Sequence, residues 1–143
     1  MQIQTEKIQC DKSVINQMKN TINTTKAPQA IGPYNQAVSI NNLLFISGQI
    51  PAHPETGEIV SGGVGEEAHQ VMKNLKAILE EAGSTFSNAV KTSIFLKNMD
   101  DFALVNEIYA SYFEEGNYPA RETVQVSKLP KDVNVEISMI AYT

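Results

Sequence analysis

The segment YPARETVQVSKLP, residues 118–130, holds the only arginine of the chain, Arg121; lysine supplies the positive charge everywhere else. A guanidinium is a planar fork that binds a carboxylate through two parallel hydrogen bonds, which the point charge of a lysine does not match. Read as a strand, the segment puts Arg121, Thr123 and Gln125 on one side and Glu122, Val124 and Val126 on the other. The second candidate is Glu136, between Val135 and Ile137 in DVNVEISMIAY. A carboxylate that loses water has its pKa raised toward neutrality, which suits a general base holding a water. Plainer roles exist for both. Arg121 could form a surface ion pair worth ~0–1 kcal/mol, and Glu136 could be a structural partner of a lysine or arginine. Placement decides between them. An arginine beside Pro119 and Ala120, on a semi-apolar sheet face, loses water and then needs an anion. The carboxylate of a small ligand is a natural one.

Other chemistries find less support. Ser47, in FISGQIP, has no histidine motif around it, so a hydrogen-bonding or strand-end role suits it better than a nucleophilic one. His53 and His69 lie sixteen residues apart and Cys10 sits near the start, a spacing that matches no short metal-ligand motif. The GGVG stretch, residues 62–65, lacks the lysine of a phosphate-binding loop and the glycine spacing of a dinucleotide site. No metal and no cofactor are expected, which leaves catalysis to side chains and water. A net charge of -5 argues against nucleic acid or an anionic membrane as partner, since both require a basic face. A single cysteine cannot close an internal disulfide. With no bilayer-length apolar run and no secretion signal in residues 1–17, a cytoplasmic protein is expected.

The elements that must position these residues follow from periodicity. Residues 1–17 are polar and aperiodic and read as an N-terminal extension, with Met18 as an alternative start and residues 18–143 as one domain. QAVSINNLLFISGQ reads as a hairpin turning at Asn41-Asn42. VGEEAHQVMKNLKAILEEAG reads as an amphipathic helix closed by Gly83. AVKTSIFLK is a strand with Val90, Thr92, Ile94 and Leu96 on one face. DDFALVNEIYASYFEEG is a second helix with Phe102, Val105, Ile108, Tyr109, Tyr112 and Phe113 turned inward. Two strands follow, joined around Pro130. The order β-β-α-β-α-β-β predicts an α+β fold, a mixed sheet with both helices on one face. Val124 and Val126 are expected to face the helices, with Arg121 and Glu136 together on the opposite, mixed face. Leu43, Phe45 and Ser47 share a side, and Phe45 with Ile140 suggests that the face meets another subunit rather than water.

The segments AIGPYNQAV, LFISGQIP, NLKAILEEAG, VKTSIFLKNMDDFALVNEIY and PARETVQVSKLPKDVNVEISMIA resemble, in matching order from about Ala27 to Ala141, the reactive intermediate deaminases of the RidA branch of the Rid (YjgF-type) family. The resemblance implies a chorismate-mutase-like fold assembled as a homotrimer, with the sheets forming a central barrel and pockets at subunit interfaces. It makes Arg121 the clamp for the substrate carboxylate and Glu136 the group that holds and activates water. It places Tyr34, Ser47 and Gly48 in the pocket lining, Asn106 as a supporting polar residue, and the Thr123 backbone N–H on the carboxylate. Many relatives carry cysteine at Thr123, and the EEGNYPAR loop looks shorter than in some. The implied reaction is cofactor-independent hydrolysis of 2-aminoacrylate, 2-iminopropanoate and 2-iminobutanoate to 2-oxo acids and ammonia. Two other readings stay open at this point: a trimer that binds small carboxylates without turnover, and a ribonuclease-like or translation-inhibiting interaction protein.

Overall fold

The structure, a computed structural model, describes residues 18–143; Cys10 and the expected extension 1–17 lie outside the described residues. Alternating apolar residues build a sheet of strands β1 (Asn20–Ile22), β2 (Ala37–Ile40), β3 (Leu43–Gln49), β4 (Ala89–Leu96), β5 (Ala120–Gln125) and β6 (Val135–Tyr142). Helix α1 (Val64–Glu81) follows β3, and α2 (Phe102–Ala110) links β4 to β5. The strand order is β1-β2-β3-β6-β4-β5. Only β4 and β5 pair in parallel, as a helical crossover between consecutive strands requires. The β2–β3 hairpin turns at Asn41, whose φ of 52° is one that asparagine tolerates. β1 adds a sixth strand absent from the expected order. Its three residues are too few to show a period.

One face of the sheet is dry. Leu44, Ile46, Ile94, Leu96, Val135, Ile137 and Met139 are buried against Val71, Met72, Leu75, Ile78 and Leu79 of α1 and against Val105, Ile108 and Tyr109 of α2. The i, i+3, i+4 recurrence of those α1 residues is what holds the helix down. Gly83 ends α1 with φ 74°, its N–H bonded to Glu80 O at 3.0 Å and the Ser84 N–H to Leu79 O at 2.8 Å. This paired return of the chain needs the left-handed conformation that glycine adopts freely. α2 is shorter than its sequence pattern, ending at Ala110, yet Tyr112 and Phe113 still pack against the core from the turn that follows. Val90, read on one face with Thr92, Ile94 and Leu96, is 43% exposed while those three are buried, and the β4–β6 register shifts beside it, between Ala89 and Lys91.

The faces of β5 reverse the expectation. Arg121 stands beside Thr92 and Thr123 beside Ile94 in the parallel ladder. Paired residues share a face, and Thr92 and Ile94 are buried on the helix side. Arg121 and Thr123 therefore lie on the helix side, while Glu122 and Val124, the latter 41% exposed, turn to the other face. On this edge strand the ladder register with β4 overrides the hydrophobic pattern. Glu136 does lie on the open face, beside Phe95 of β4. Arg121 and Glu136 thus occupy opposite faces of one sheet. The open face itself is mixed, as expected. Leu43, Phe45 and Tyr142 are exposed on it, Phe45 sits next to Ile140, and Glu122 pairs with Lys91 and accepts a hydrogen bond from Ser93 at 2.7 Å.

Replacing Gly83 with alanine forces a Cβ into the left-handed region, at about 1–2 kcal/mol. Urea unfolding of Gly83→Ala is expected to show a lower midpoint with an unchanged slope.

Candidate functional site

The Arg121 side chain emerges from β5 beneath α2. Its Nη1 donates to Asn106 Oδ1 at 2.7 Å, and the guanidinium carbon lies 5.1 Å from the centre of the Tyr109 ring and 5.7 Å from that of Phe102. Asn106 and Tyr109 are three residues apart, so both project from one side of α2 toward β5. The Tyr109 hydroxyl shares a 2.7 Å hydrogen bond with Thr92 Oγ1, and burial raises its pKa while Thr92 and Arg121 oppose the rise. With Tyr118 and Pro119 these groups border an open cleft of about 470 Å³. No carboxylate lies within ion-pair distance of Arg121 among the described residues. A cation braced by a neutral amide and two aromatic faces retains free donors for an incoming anion.

Thr123 adds a donor from the backbone. The Val126 N–H bonds to Leu96 O at 2.9 Å, so the period-two alternation of the ladder turns the N–H groups of Val124 and Glu122 toward β4 as well. The N–H groups of Arg121, Thr123 and Gln125 then point to the free edge of the sheet. The Thr123 hydroxyl is buried without a partner among the described residues and plays no part in this cleft.

Glu136 borders a second cleft, also about 470 Å³, with Ile31, Tyr34, Ser47, Gly48, Ile50, Pro130 and Lys131. β3 and β6 fall out of register between Ile46 and Gln49, leaving one extra residue at Ser47-Gly48. Bulges of this kind re-aim side chains beside functional sites. Gly48 is required there for space: a Cβ on it would overlap Glu136 Oε1 and lie 3.0 Å from Cδ. Ser47 Oγ donates to Asn35 O at 2.6 Å and its N–H to Gln36 O at 3.0 Å, tying the loop that carries Tyr34 to β3. Gln36 secures the other side of that loop, accepting from the Thr24 N–H at 2.7 Å and donating to Pro28 O at 2.9 Å. Glu136 makes no hydrogen bond or ion pair among the described residues. Burial alone holds its carboxyl pKa above the ordinary 4.5.

The sequence-derived candidates therefore divide into two groups, Arg121 with Asn106, and Glu136 with Tyr34, Ser47 and Gly48, while Thr123 lines neither cleft. Neither of these two clefts of the described residues holds both Arg121 and Glu136. Phe102, Tyr109 and Tyr118 around Arg121 were read only as core or not singled out at all. For Tyr109 the usable signal was its place one helical turn after Asn106. Ile31 and Ile50 belong to irregular segments and Lys131 to a three-residue 3-10 turn, too short for periodicity to have marked it. Among the described residues no helix is long and apolar enough to cross a membrane.

Both the sequence and the fold are similar to those of known proteins. The profile of the family described as Endoribonuclease L-PSP matches residues 24–143. A RutC family protein of Pyrococcus horikoshii is 54% identical over 87% of this chain and 98% of its own. The 2-iminobutanoate/2-iminopropanoate deaminase of Mus musculus is 52% identical over 87% of this chain and 91% of its own. A crystal structure of YyfA, a protein of the conserved Rid family from Yersinia pestis, superposes with a TM-score of 0.86 at 48% identity, covering 88% of this chain and all of that one.

Because the Glu136 pKa is raised on folding, the folded chain holds that proton to higher pH than the unfolded chain does. Stability then falls as pH climbs from about 4.5 through the raised value. Glu136→Gln removes this loss. Relative to the parent, the variant is expected to gain stability as pH rises above about 4.5, read from paired urea titrations.

Proposed function

From the premise that the chain belongs to the Endoribonuclease L-PSP family of Rid proteins, we propose that it hydrolyses reactive 2-imino acids to 2-oxo acids and ammonia. The observation that carries this reading is the state of its one guanidinium, held by a neutral amide and aromatic faces with no acid of its own among the described residues. The small organic anion of a 2-imino acid meets that need. The deaminase name of the mouse relative supports the choice of substrate.

In this reading the Arg121 fork and the outward Thr123 N–H hold the substrate carboxylate, and Asn106 fixes the plane of the fork. Glu136 holds a water against the imine carbon. The water oxygen attacks C2 of the protonated imine as Glu136 takes a proton; a C–O bond forms, the C=N π pair moves onto nitrogen, and a neutral carbinolamine results. Glu136 returns the proton to nitrogen, the C–N bond breaks with its electron pair leaving on ammonia, and the hydroxyl proton passes to the Glu136 carboxylate as the C=O bond forms. Orientation contributes much of the acceleration. The raised Glu136 pKa brings its proton affinity closer to that needed for both transfers. Tyr34 and the Ser47-Gly48 bulge shape the space in which the water sits.

Since the two groups of residues lie on opposite faces of the sheet, the reading also requires a second copy. A cyclic trimer with its open sheet faces inward would set the Arg121 cleft of one copy beside the Glu136 cleft of the next. The exposed Leu43, Phe45, Val124 and Tyr142 support burial of that face.

Two measurements test the proposal. With 2-iminobutanoate generated in situ by threonine dehydratase, the protein is expected to accelerate 2-oxobutanoate release. Arg121→Ala should fall to the uncatalysed rate, and Glu136→Gln should lose about 10²–10⁴-fold in kcat/KM. Full turnover by Glu136→Gln would refute its role. Co-refolded Arg121→Ala and Glu136→Gln chains should regain about a quarter of parental activity, because random mixing of a cyclic trimer leaves about one junction in four with both intact groups. No recovery, or a monomer in light scattering, would refute the shared site.

A further inference from the structure

A further cleft, of about 260 Å³, adjoins the Glu136 cleft and shares Ile31, Tyr34, Gly48, Ile50 and Lys131 with it. One water occupies about 30 Å³ of the liquid, so this space admits a run of several heavy atoms. Its additional walls include Pro28, Ala52 and Pro54, which are apolar, and Gln49. Gln49 is only 6% exposed. Its Nε2 donates to Ser47 O at 3.1 Å, while its Oε1 accepts no hydrogen bond among the described residues. The Gln49 oxygen is not itself fully buried, so it remains free to accept a donor from a ligand in the cleft. Gln36, the other buried amide of this wall, is by contrast satisfied at both ends.

We propose that this cleft is the side-chain subsite of the enzyme and that it selects 2-imino acids with a side chain longer than ethyl ending in a neutral hydrogen-bond donor, such as a terminal amide, received by Gln49. The inference rests on the deaminase reading, which fixes C2 of the substrate beside Glu136. With the carboxylate directed to an arginine, the side chain leaves C2 in another direction, and the adjoining space lies past Tyr34 and Gly48. A methyl or ethyl group would stop inside the Glu136 cleft and leave the second cleft to water. Pro28, Ala52 and Pro54 match a methylene stem. The rim carries one charge of each sign, the exposed Glu55 carboxylate and the Lys131 ammonium, which donates to Gly57 O at 3.2 Å. That balance favours a neutral tail over an anionic or cationic one.

The test compares imines made in situ by an L-amino-acid oxidase from 2-aminobutyrate, glutamine and homoleucine, the last an apolar isostere of glutamine. The parent protein is expected to favour the glutamine imine over the homoleucine imine in kcat/KM. Gln49→Met should lower kcat/KM for the glutamine imine about tenfold relative to the 2-aminobutyrate imine, since a site that loses one hydrogen bond to its substrate loses that discrimination. Thr56→Trp, on the exposed rim of the same cleft, should lower both long-chain imines relative to the short one without disturbing the core. It decides the matter should Gln49→Met fail to fold. Ratios unchanged in either folded variant would overturn the subsite while leaving the deaminase intact. Acceleration of no imine by the parent protein would overturn the deaminase reading, and the subsite with it.

Discussion

The parallel, in-register pairing of β4 with β5 is the constraint on which the candidate site depends. It is the one parallel pair among the described residues, imposed by the crossover through α2. By setting Arg121 beside Thr92 it turns the guanidinium under α2, where Asn106 and Tyr109 can reach it. The opposite facing would have put Arg121 on the open sheet surface, away from Asn106 and Tyr109, and would have turned Glu122 under α2 in its place. The ladder also leaves alternate N–H groups of β5 unbonded at the sheet edge, so one piece of backbone supplies both a charged fork and a neutral donor.

A second constraint acts at β3. The extra residue at Ser47-Gly48 breaks the ladder against β6, and the missing Cβ at Gly48 lets the Glu136 carboxylate lie against the backbone. The same short segment binds the Tyr34 loop through Ser47 and resumes the ladder at Gln49, beside Ile137. Glu136 is thereby half-buried with no neutralising partner among the described residues, and its burial raises its pKa. Both candidate groups are thus kept chemically unsatisfied by their own chain, Arg121 by bracing from a neutral amide and Glu136 by desolvation. Strain of this kind is retained where function uses it.

Much of this was legible in the residues. The hairpin at Asn41, the Gly83 stop of α1 and the α+β order follow from local rules, and the structure carries them as read. The contrast of one arginine with many lysines marked a site that wants a planar fork. The resemblance added Tyr34, Ser47, Gly48 and Asn106, and the structure groups these beside Glu136 or Arg121. What failed was the facing of β5. Val124 and Val126 are apolar and alternate correctly, so the pattern alone turns them inward. That rule assumes a strand chooses its own face.

Composition and spacing by themselves determined both helices, the order of β2 to β6 and which side chains are chemically able to bind an acid or hold a water, because these depend on local geometry and residue chemistry. Only the tertiary structure decided that Arg121 and Glu136 lie on opposite faces of the sheet and that Gln49 looks into a cleft beyond Tyr34. Those outcomes depend on strand register and on a one-residue bulge. A register is set by pairing between segments distant in the chain, and a shift of one residue moves every side chain to the other face.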